Sequence, residues 1–435
     1  MRLLHVADWH LGRVTYNHSR AEDHDRVLGA IEQLARETKP DLIVHAGDVW
    51  DAVRPSYLEL SRGVDALKAL AGIAPLVVLC GNHDSPYLFD LFNRLIGKEH
   101  RMYFLPTAKR PREGGTLEFP GPKDQVIRLA SVPFVHQNRM IDGLEDPKTW
   151  MVKYADRVAL VQGALNRALQ EGYDPQRHVL LFAAHLHVTG SLLFSRSERP
   201  LHITDSYATR IEQLPTVSYA AYGHIHRPQP LPGTVAGRYA GSPIPLDFGE
   251  EGEAKSVVLV EAEPGRPARI EVHDLSGGRS LRRLEGTLEE LRKQAPTVGA
   301  ALCLVTVDTE TPTNGLVERV QELLTQAVLL NVTERCATTR VSVLRQEDAV
   351  DQVEPGFAEI FHSFLAVQGT RGGSADRVVA MFERLIGLIE SESDVEFQEL
   401  QRLVVADEAS SGVAANGTLA AKLDGPPEVA PHLQQ

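Results

Sequence analysis

Five short polar clusters within the first half of the chain hold the side chains equipped for chemistry. They are Asp8-Trp9-His10, Gly47-Asp48, Gly81-Asn82-His83-Asp84, His185 and Gly223-His224-Ile225-His226. Carboxylates, imidazoles and an amide oxygen in such a set are ligands for a pair of divalent cations. Two cations about 3.5–4 Å apart on a shared carboxylate can polarise a phosphodiester, lower the pKa of a bound water, and stabilise the attacking and leaving oxygens of an in-line displacement. Mixed nitrogen and oxygen ligands suit manganese, iron or zinc better than magnesium or calcium, which prefer oxygen alone. The expected chemistry is hydrolysis of a phosphodiester by a metal-activated water.

Each cluster follows an apolar run that must position it. Residues 2–7, 41–46, 75–80, 178–184 and 218–222 read as short buried strands that end at polar or glycine punctuation. The candidate ligands therefore fall at strand carboxyl ends, where open α/β sheets form their ligand crevices. Gly47, Gly81 and Gly223 fit that placement, because a residue without a side chain lets the backbone turn and aim the following Asp, Asn or His inward.

Taken in order, the clusters resemble the D-x-H, G-D, G-N-H-D/E, H and G-H-x-H pattern of the calcineurin-like metallophosphoesterase superfamily. Its serine/threonine phosphatase branch carries G-D-x-V-D-R-G and G-N-H-E, whereas this chain reads Gly47-Asp48-Val49-Trp50-Asp51-Ala52 and Gly81-Asn82-His83-Asp84. Asp8-Trp9-His10-Leu11-Gly12, Gly223-His224-Ile225-His226-Arg227-Pro228-Gln229 and Tyr239-Ala240-Gly241-Ser242-Pro243-Ile244-Pro245-Leu246 resemble instead the SbcD/Mre11-type nucleases. The likeness is clear over about the first 250 residues and stays in register to about residue 390.

That resemblance implies an α/β fold: a four-layer α/β/β/α sandwich, then a small α+β capping domain and C-terminal helices. It implies a two-metal DNA nuclease, a double-strand exonuclease and single-strand or hairpin endonuclease of repair and recombination, with manganese as the expected metal. Carried over position by position, Asp48 bridges the metals, Asp8, His10 and His226 complete one site, and Asn82, His185 and His224 the other. His83 contacts the scissile phosphate and stabilises charge or protonates the leaving oxygen, and Asp84 orients the His83 imidazole. The alternative reading is a phosphoesterase of small phosphodiesters or nucleotides.

Some positions stay open. His187 lies on the same strand face as His185, and the family pattern H-x-x-V-x-G favours His185 with Val188 and Gly190. Where archaeal and eukaryotic Mre11 proteins have a helper histidine, this chain has Asp51. His5 and His45, inside apolar strands, read as core histidines, and His18, His24, His136, His202 and His273 have no ligand-like spacing. Trp9 and Trp50 read as packing or as stacking surfaces for nucleotides. Arg20, in a polar loop with Tyr16, Asn17 and His18, is either a phosphate contact or a solvated side chain.

At 435 residues the chain exceeds what one core supports, so several units are expected. These are a phosphoesterase domain over 1–278, a capping domain over 281–345, a helical segment over 354–392 and a disordered tail over 406–435. Within the capping domain the pattern predicts helices over 287–293 and 315–327 and strands over 301–307, 329–333 and 339–343. Two short amphipathic helices over 357–365 and 375–389 cannot bury both apolar faces on each other, so they expect a partner. In the family that partner is the SbcC/Rad50-type ATPase. The chain has no G-x-x-x-x-G-K-[ST], so ATP hydrolysis is not expected of it. A helix starting near Pro55 and Ser56 corresponds to the family's homodimer contact, or simply covers the sheet.

Formal net charge is −13, but residues 341–435 hold 6 Lys and Arg against 16 Asp and Glu, which leaves 39 against 42 for residues 1–340. A nearly balanced catalytic part should bind DNA weakly alone, which again points to a partner or dimer. Cys80, Cys303 and Cys336 lack metal spacing, and Cys80 and Cys303 read as buried thiols of a reducing compartment. With no apolar run long enough to span a bilayer and no signal-peptide pattern, the expected location is the cytoplasm, at the nucleoid.

Overall fold

The computed structural model describes residues 1–135, 147–192, 208–210, 214–337, 361 and 378–382. The chain divides into two compact units, Met1–Ser342 and Val343–Gln435. Two six-stranded sheets dominate the first. One runs Arg269–Asp274, Ser256–Glu261, Arg2–Val6, Leu42–His45, Leu76–Leu79 and Met102–Leu105, with the last four strands parallel. The other runs Gln229–Pro230, Gly237–Tyr239, Tyr219–Gly223, His178–His185, Val126–Val132 and Thr116–Pro120, its four inner strands parallel.

Alternation along each strand decides the layering, because successive side chains point to opposite faces. Leu3, Leu42 and Val44 turn inward and pack between the sheets with Val179, Leu181, Tyr219 and Ala221. Leu4, Val6 and Ile43 turn outward beneath Ile31 of helix Ala21–Thr38 and Leu67 and Leu70 of helix Tyr57–Ile73. On the far side Leu180, Phe182 and Tyr222 meet Tyr154, Val158 and Leu165 of helix Pro147–Gln170. The result is the expected α/β/β/α sandwich. Helix Tyr57–Ile73 starts where the Ser56 side chain accepts the Glu59 N–H at 3.3 Å, satisfying a donor that the first turn leaves unpaired.

Beyond the sandwich, strands Leu281–Gly286, Leu302–Thr309 and Val328–Cys336 form a parallel three-stranded sheet crossed by helices Leu288–Gln294 and Leu316–Leu323. Strand Leu281–Gly286 is not apparent in the sequence because it buries only Leu281, Leu284 and Gly286 and carries charge between them. The second helix ends at Leu323, four residues short of its expected end, where Leu324 leaves helical geometry. The strand expected over 339–343 lies outside the described residues.

This small unit is moored to the sandwich by packing of Leu281 and Leu302 on Phe248 and by a buried ionic knot. Asp23 accepts from Arg20 Nε at 2.7 Å and from Arg279 Nε at 3.0 Å, and Arg20 also donates to the carbonyls of Pro245 (2.6 Å) and Arg279 (3.0 Å). Arg20 is fully buried. It is neither a solvated side chain nor a phosphate contact, which corrects both readings of its loop.

In the second unit the rings of Phe361 and Phe382 stack with centroids 4.2 Å apart. These residues belong to the two expected amphipathic helices; the remainder of 354–392 and the tail over 406–435 lie outside the described residues. No helix among the described residues is long and apolar enough to cross a membrane.

Candidate metal centre

The carboxyl ends of Arg2–Val6, Leu42–His45 and Leu76–Leu79 in one sheet meet those of His178–His185 and Tyr219–Gly223 in the other. Close approach there excludes side chains from three backbone positions. A Cβ at Gly47 would fall on the His185 ring, one at Gly81 on the Asp48 carboxylate, and one at Gly223 on the Ala46 carbonyl. Four non-glycine residues at the same place adopt left-handed backbone: Asp8 (φ 51°), His10 (φ 49°), Asp48 (φ 56°) and His224 (φ 97°). Such conformations cost on the order of 1–3 kcal/mol each and persist where surrounding structure fixes them, typically at functional sites.

Seven side chains expected as ligands converge, all of them buried. Asp8, His10 and His226 offer atoms within 4.8 Å of one another, as do Asp8, Asp48 and His185, and also His10, Asp48 and His83. Asp48 Oδ2 lies 3.5 Å from His10 Nε2 and 3.3 Å from His185 Nε2, between the two histidine groups. Asn82 Oδ1 sits 3.0 Å from His185 Nε2 and 2.8 Å from His224 Nδ1.

Hydrogen bonds on the outer ring edges decide which nitrogens face inward. His185 Nδ1 donates to the Ala46 carbonyl at 2.7 Å, and His10 Nδ1 meets Asp51 Oδ1 at 3.1 Å. A carbonyl or carboxylate can only accept, so Nδ1 carries a proton, and Nε2 is the nitrogen that faces the cluster and would ligate once a bound cation displaces any proton on it. His10 Nε2 is buried and has no hydrogen-bond partner among the described residues. Imidazole nitrogens directed at a shared carboxylate are the donor arrangement that a pair of divalent cations requires, so the residues present fit the metals that the motifs imply.

Charge is concentrated here. Burial pushes the Asp8 carboxyl up to about 7, with the neighbouring Asp48 charge adding to the effect. Burial also works against a charged His185, but Asp48 outweighs it and raises the imidazole to about 9. Asp48 is held well below the usual carboxylate range, because His185 and His83 overcome its burial. Bound cations would take over the neutralisation that protons provide in this cluster.

His83 and Asp84 follow a different plan from the one expected. His83 Nδ1 donates to the Asp51 carbonyl at 2.8 Å, and its backbone N–H donates to Asp48 Oδ1 at 2.8 Å. The Asp84 carboxylate accepts three backbone N–H groups, from Gly81 (2.9 Å), Trp50 (3.1 Å) and Val49 (3.2 Å). Asp84 therefore ties the Asp48 loop to the Asn82 loop, and Asp51 is the residue that orients the His83 ring. Adjacency in sequence suggested the opposite, but the two side chains find separate partners, the Asp51 carbonyl for one and the Gly81, Val49 and Trp50 N–H groups for the other.

Other positions sort themselves. His185, not His187, joins the cluster; His187 lies on the short strand His187–Val188 paired with Ala208–Thr209. Trp9 packs edge-on against His45 and Trp50 against Phe89, so both are core. His5 meets the Tyr219 hydroxyl at 3.0 Å inside the core. Sequence reasoning missed Phe134, Glu250 and Lys255. Phe134 stacks on His224 just past the end of strand Val126–Val132, a position that the strand-end rule could have flagged. Glu250 and Lys255 sit in an acidic stretch that reads as a solvated turn.

Residues 1–228 match the family model of calcineurin-like phosphoesterases. Fold and match together define the class, a metal-dependent phosphodiester hydrolase. The chain is 31% identical over 293 residues to the SbcD component of the SbcCD nuclease of Bacillus subtilis (strain 168), covering 65% of this chain and 71% of that one. Against the SbcD protein from Escherichia coli (strain K12) identity is 26% over 424 residues, 91% of this chain and 100% of that one. The SbcD protein of Rhodobacter capsulatus matches at 30% over 285 residues, 62% and 68% of the two chains. The chain belongs to the calcineurin-like phosphoesterases and, among them, to the SbcD/Mre11-type nucleases.

Proposed function

We propose that this protein is the nuclease subunit of an SbcCD-type complex, cutting DNA as a manganese-dependent double-strand exonuclease and single-strand or hairpin endonuclease in repair and recombination. The observation that carries the reading is Asp48, buried between two groups of inward-facing imidazoles. Asp48 would be shared by two divalent ions, with Asp8, His10 and His226 holding one and Asn82, His185 and His224 the other; when bound, such ions would supply Lewis-acid activation of the phosphodiester and of a water. The protein's own residues do the positioning: His83, fixed by the Asp51 carbonyl, presents the far edge of its ring to the scissile phosphate and stabilises charge there or protonates the leaving oxygen.

DNA duplex ends, hairpins and single strands are the proposed substrates, and the α+β unit around Leu281–Cys336 caps the site. The helical segment over 354–392 docks on an SbcC/Rad50-type ATPase, and the complex works in the cytoplasm at the nucleoid. A homodimer forms through helices Tyr57–Ile73 and Pro86–Phe92. Support comes from Tyr57, Leu58 and Tyr87, which are 81%, 73% and 77% exposed at the starts of these two helices. Apolar surface of that kind favours association.

The test is cleavage of blunt duplex, hairpin and bis-nitrophenyl phosphate in manganese, with and without the ATPase. Turnover of the small diester with no cutting of either DNA in the complete complex would refute the DNA reading and leave a small-molecule phosphoesterase.

A further inference from the structure

We propose that Glu250 and Lys255 form a clamp that positions His226 and so sets the strength of one of the two metal positions. This rests on the two-metal reading of the site. Glu250 ends the short turn Phe248–Glu250 and is buried, as is Lys255. Burying an ion pair is costly unless hydrogen bonds complete it, and here they do. Glu250 Oε2 accepts from Lys255 Nζ at 2.6 Å, from the Leu246 N–H at 3.2 Å and from the Ser242 hydroxyl at 3.4 Å.

The remaining oxygen, Oε1, lies 3.4 Å from His226 Nδ1. Neither atom makes a hydrogen bond among the described residues, so this ion contact is what each has. Lys255 Nζ meanwhile donates to the His226 carbonyl at 3.1 Å. Ring and backbone of one candidate ligand are therefore gripped by the two ends of a single ion pair. A carboxylate behind the outer nitrogen of a ligating imidazole fixes its tautomer and orientation and makes the inner nitrogen a better donor. His224, two residues earlier, is held by other means: its N–H donates to Asp8 Oδ1 at 2.9 Å and its ring stacks on Phe134. The clamp consequently acts on the ion that His226 shares with Asp8 and His10, and leaves its neighbour alone.

A purely structural ion pair would stabilise the 242–255 loop without discriminating between ions. The experiment is manganese titration of the full chain by calorimetry, with electron paramagnetic resonance of the bound ions, for wild type, Glu250→Gln and Lys255→Met. Glu250→Gln keeps the shape and removes the charge. Lys255→Met keeps the stem and serves where the first variant fails to fold. Two sites in the wild type, with one weakened about 10–100-fold in a folded variant and the spin-coupled pair signal replaced by that of an isolated ion, supports the clamp. Unchanged affinities in a folded variant, or equal weakening at both sites, overturns it. Fewer than two ions in the wild type refutes the reading of the site itself, separately from the clamp.

Discussion

At the scale of single residues, Asp48 and His83 separate binding from turnover. Asp48 lies 3.5 Å from His10 Nε2 on one side and 3.3 Å from His185 Nε2 on the other, so Asp48→Ala should release both ions and abolish cleavage. Metal analysis retaining two equivalents per chain would contradict that role. The His83 ring is anchored by the Asp51 backbone carbonyl, and its tie to Asp48 runs through its backbone N–H, so His83→Ala should keep both ions while kcat falls about 10²–10⁴-fold. A drop to one ion would instead make it a ligand. The ligand residues were legible because each is a chemically distinctive type at a strand end. Glu250, Lys255 and the Asp51 contacts were not, since a carboxylate's partner depends on where a loop folds back across the site.

Elements are held by fewer, more specific interactions, and the knot joining helix Ala21–Thr38 to the link before Leu281 is the clearest case. Burial alone would raise the Asp23 carboxyl, but bonds from Arg279 and Arg20 hold it at about 2. An unfolded Asp titrates near 3.8, so the folded form is favoured fully above about pH 4. That contribution, about 2 kcal/mol, is lost as pH falls from 4 through 2. Asp23→Asn should cost about 3–5 kcal/mol near neutrality by stranding the buried Arg20 charge. Urea unfolding across this pH range checks both, because the gap between wild type and variant must narrow in acid; a constant gap would exclude Asp23 as the titrating group. Strand positions in the sandwich were readable from apolar runs, whereas strand Leu281–Gly286 and the burial of Arg20 were not. Both depend on contacts with Phe248, Pro245 and Asp23 that local pattern does not encode.

For the whole molecule, charge and chemistry reside in different places. Residues 341–435 carry 16 acidic against 6 basic side chains and none of the five clusters. Deleting the chain from Glu354 onward should leave metal-dependent cleavage of bis-nitrophenyl phosphate intact and remove stimulation by the ATPase. Binding to bare DNA should rise slightly as like-charge repulsion is reduced. Calorimetric binding of the ATPase to the truncated chain would move the contact to the capping unit or the sandwich.

The order of strands also governs when the molecule can first exist. Arg2–Val6 lies inside its sheet, flanked by Leu42–His45 and by Ser256–Glu261, with Arg2 opposite Glu261. On a ribosome adding about 5–20 residues per second, the roughly 250 residues between those partners take on the order of 12–50 s. Throughout that interval the apolar first strand has an open edge, a template for mispairing with another nascent chain. Asp8 and His10 likewise wait for His226. Assembly of the metal centre consequently cannot precede His226, and strand Arg2–Val6 keeps an open edge until Ser256–Glu261 is made.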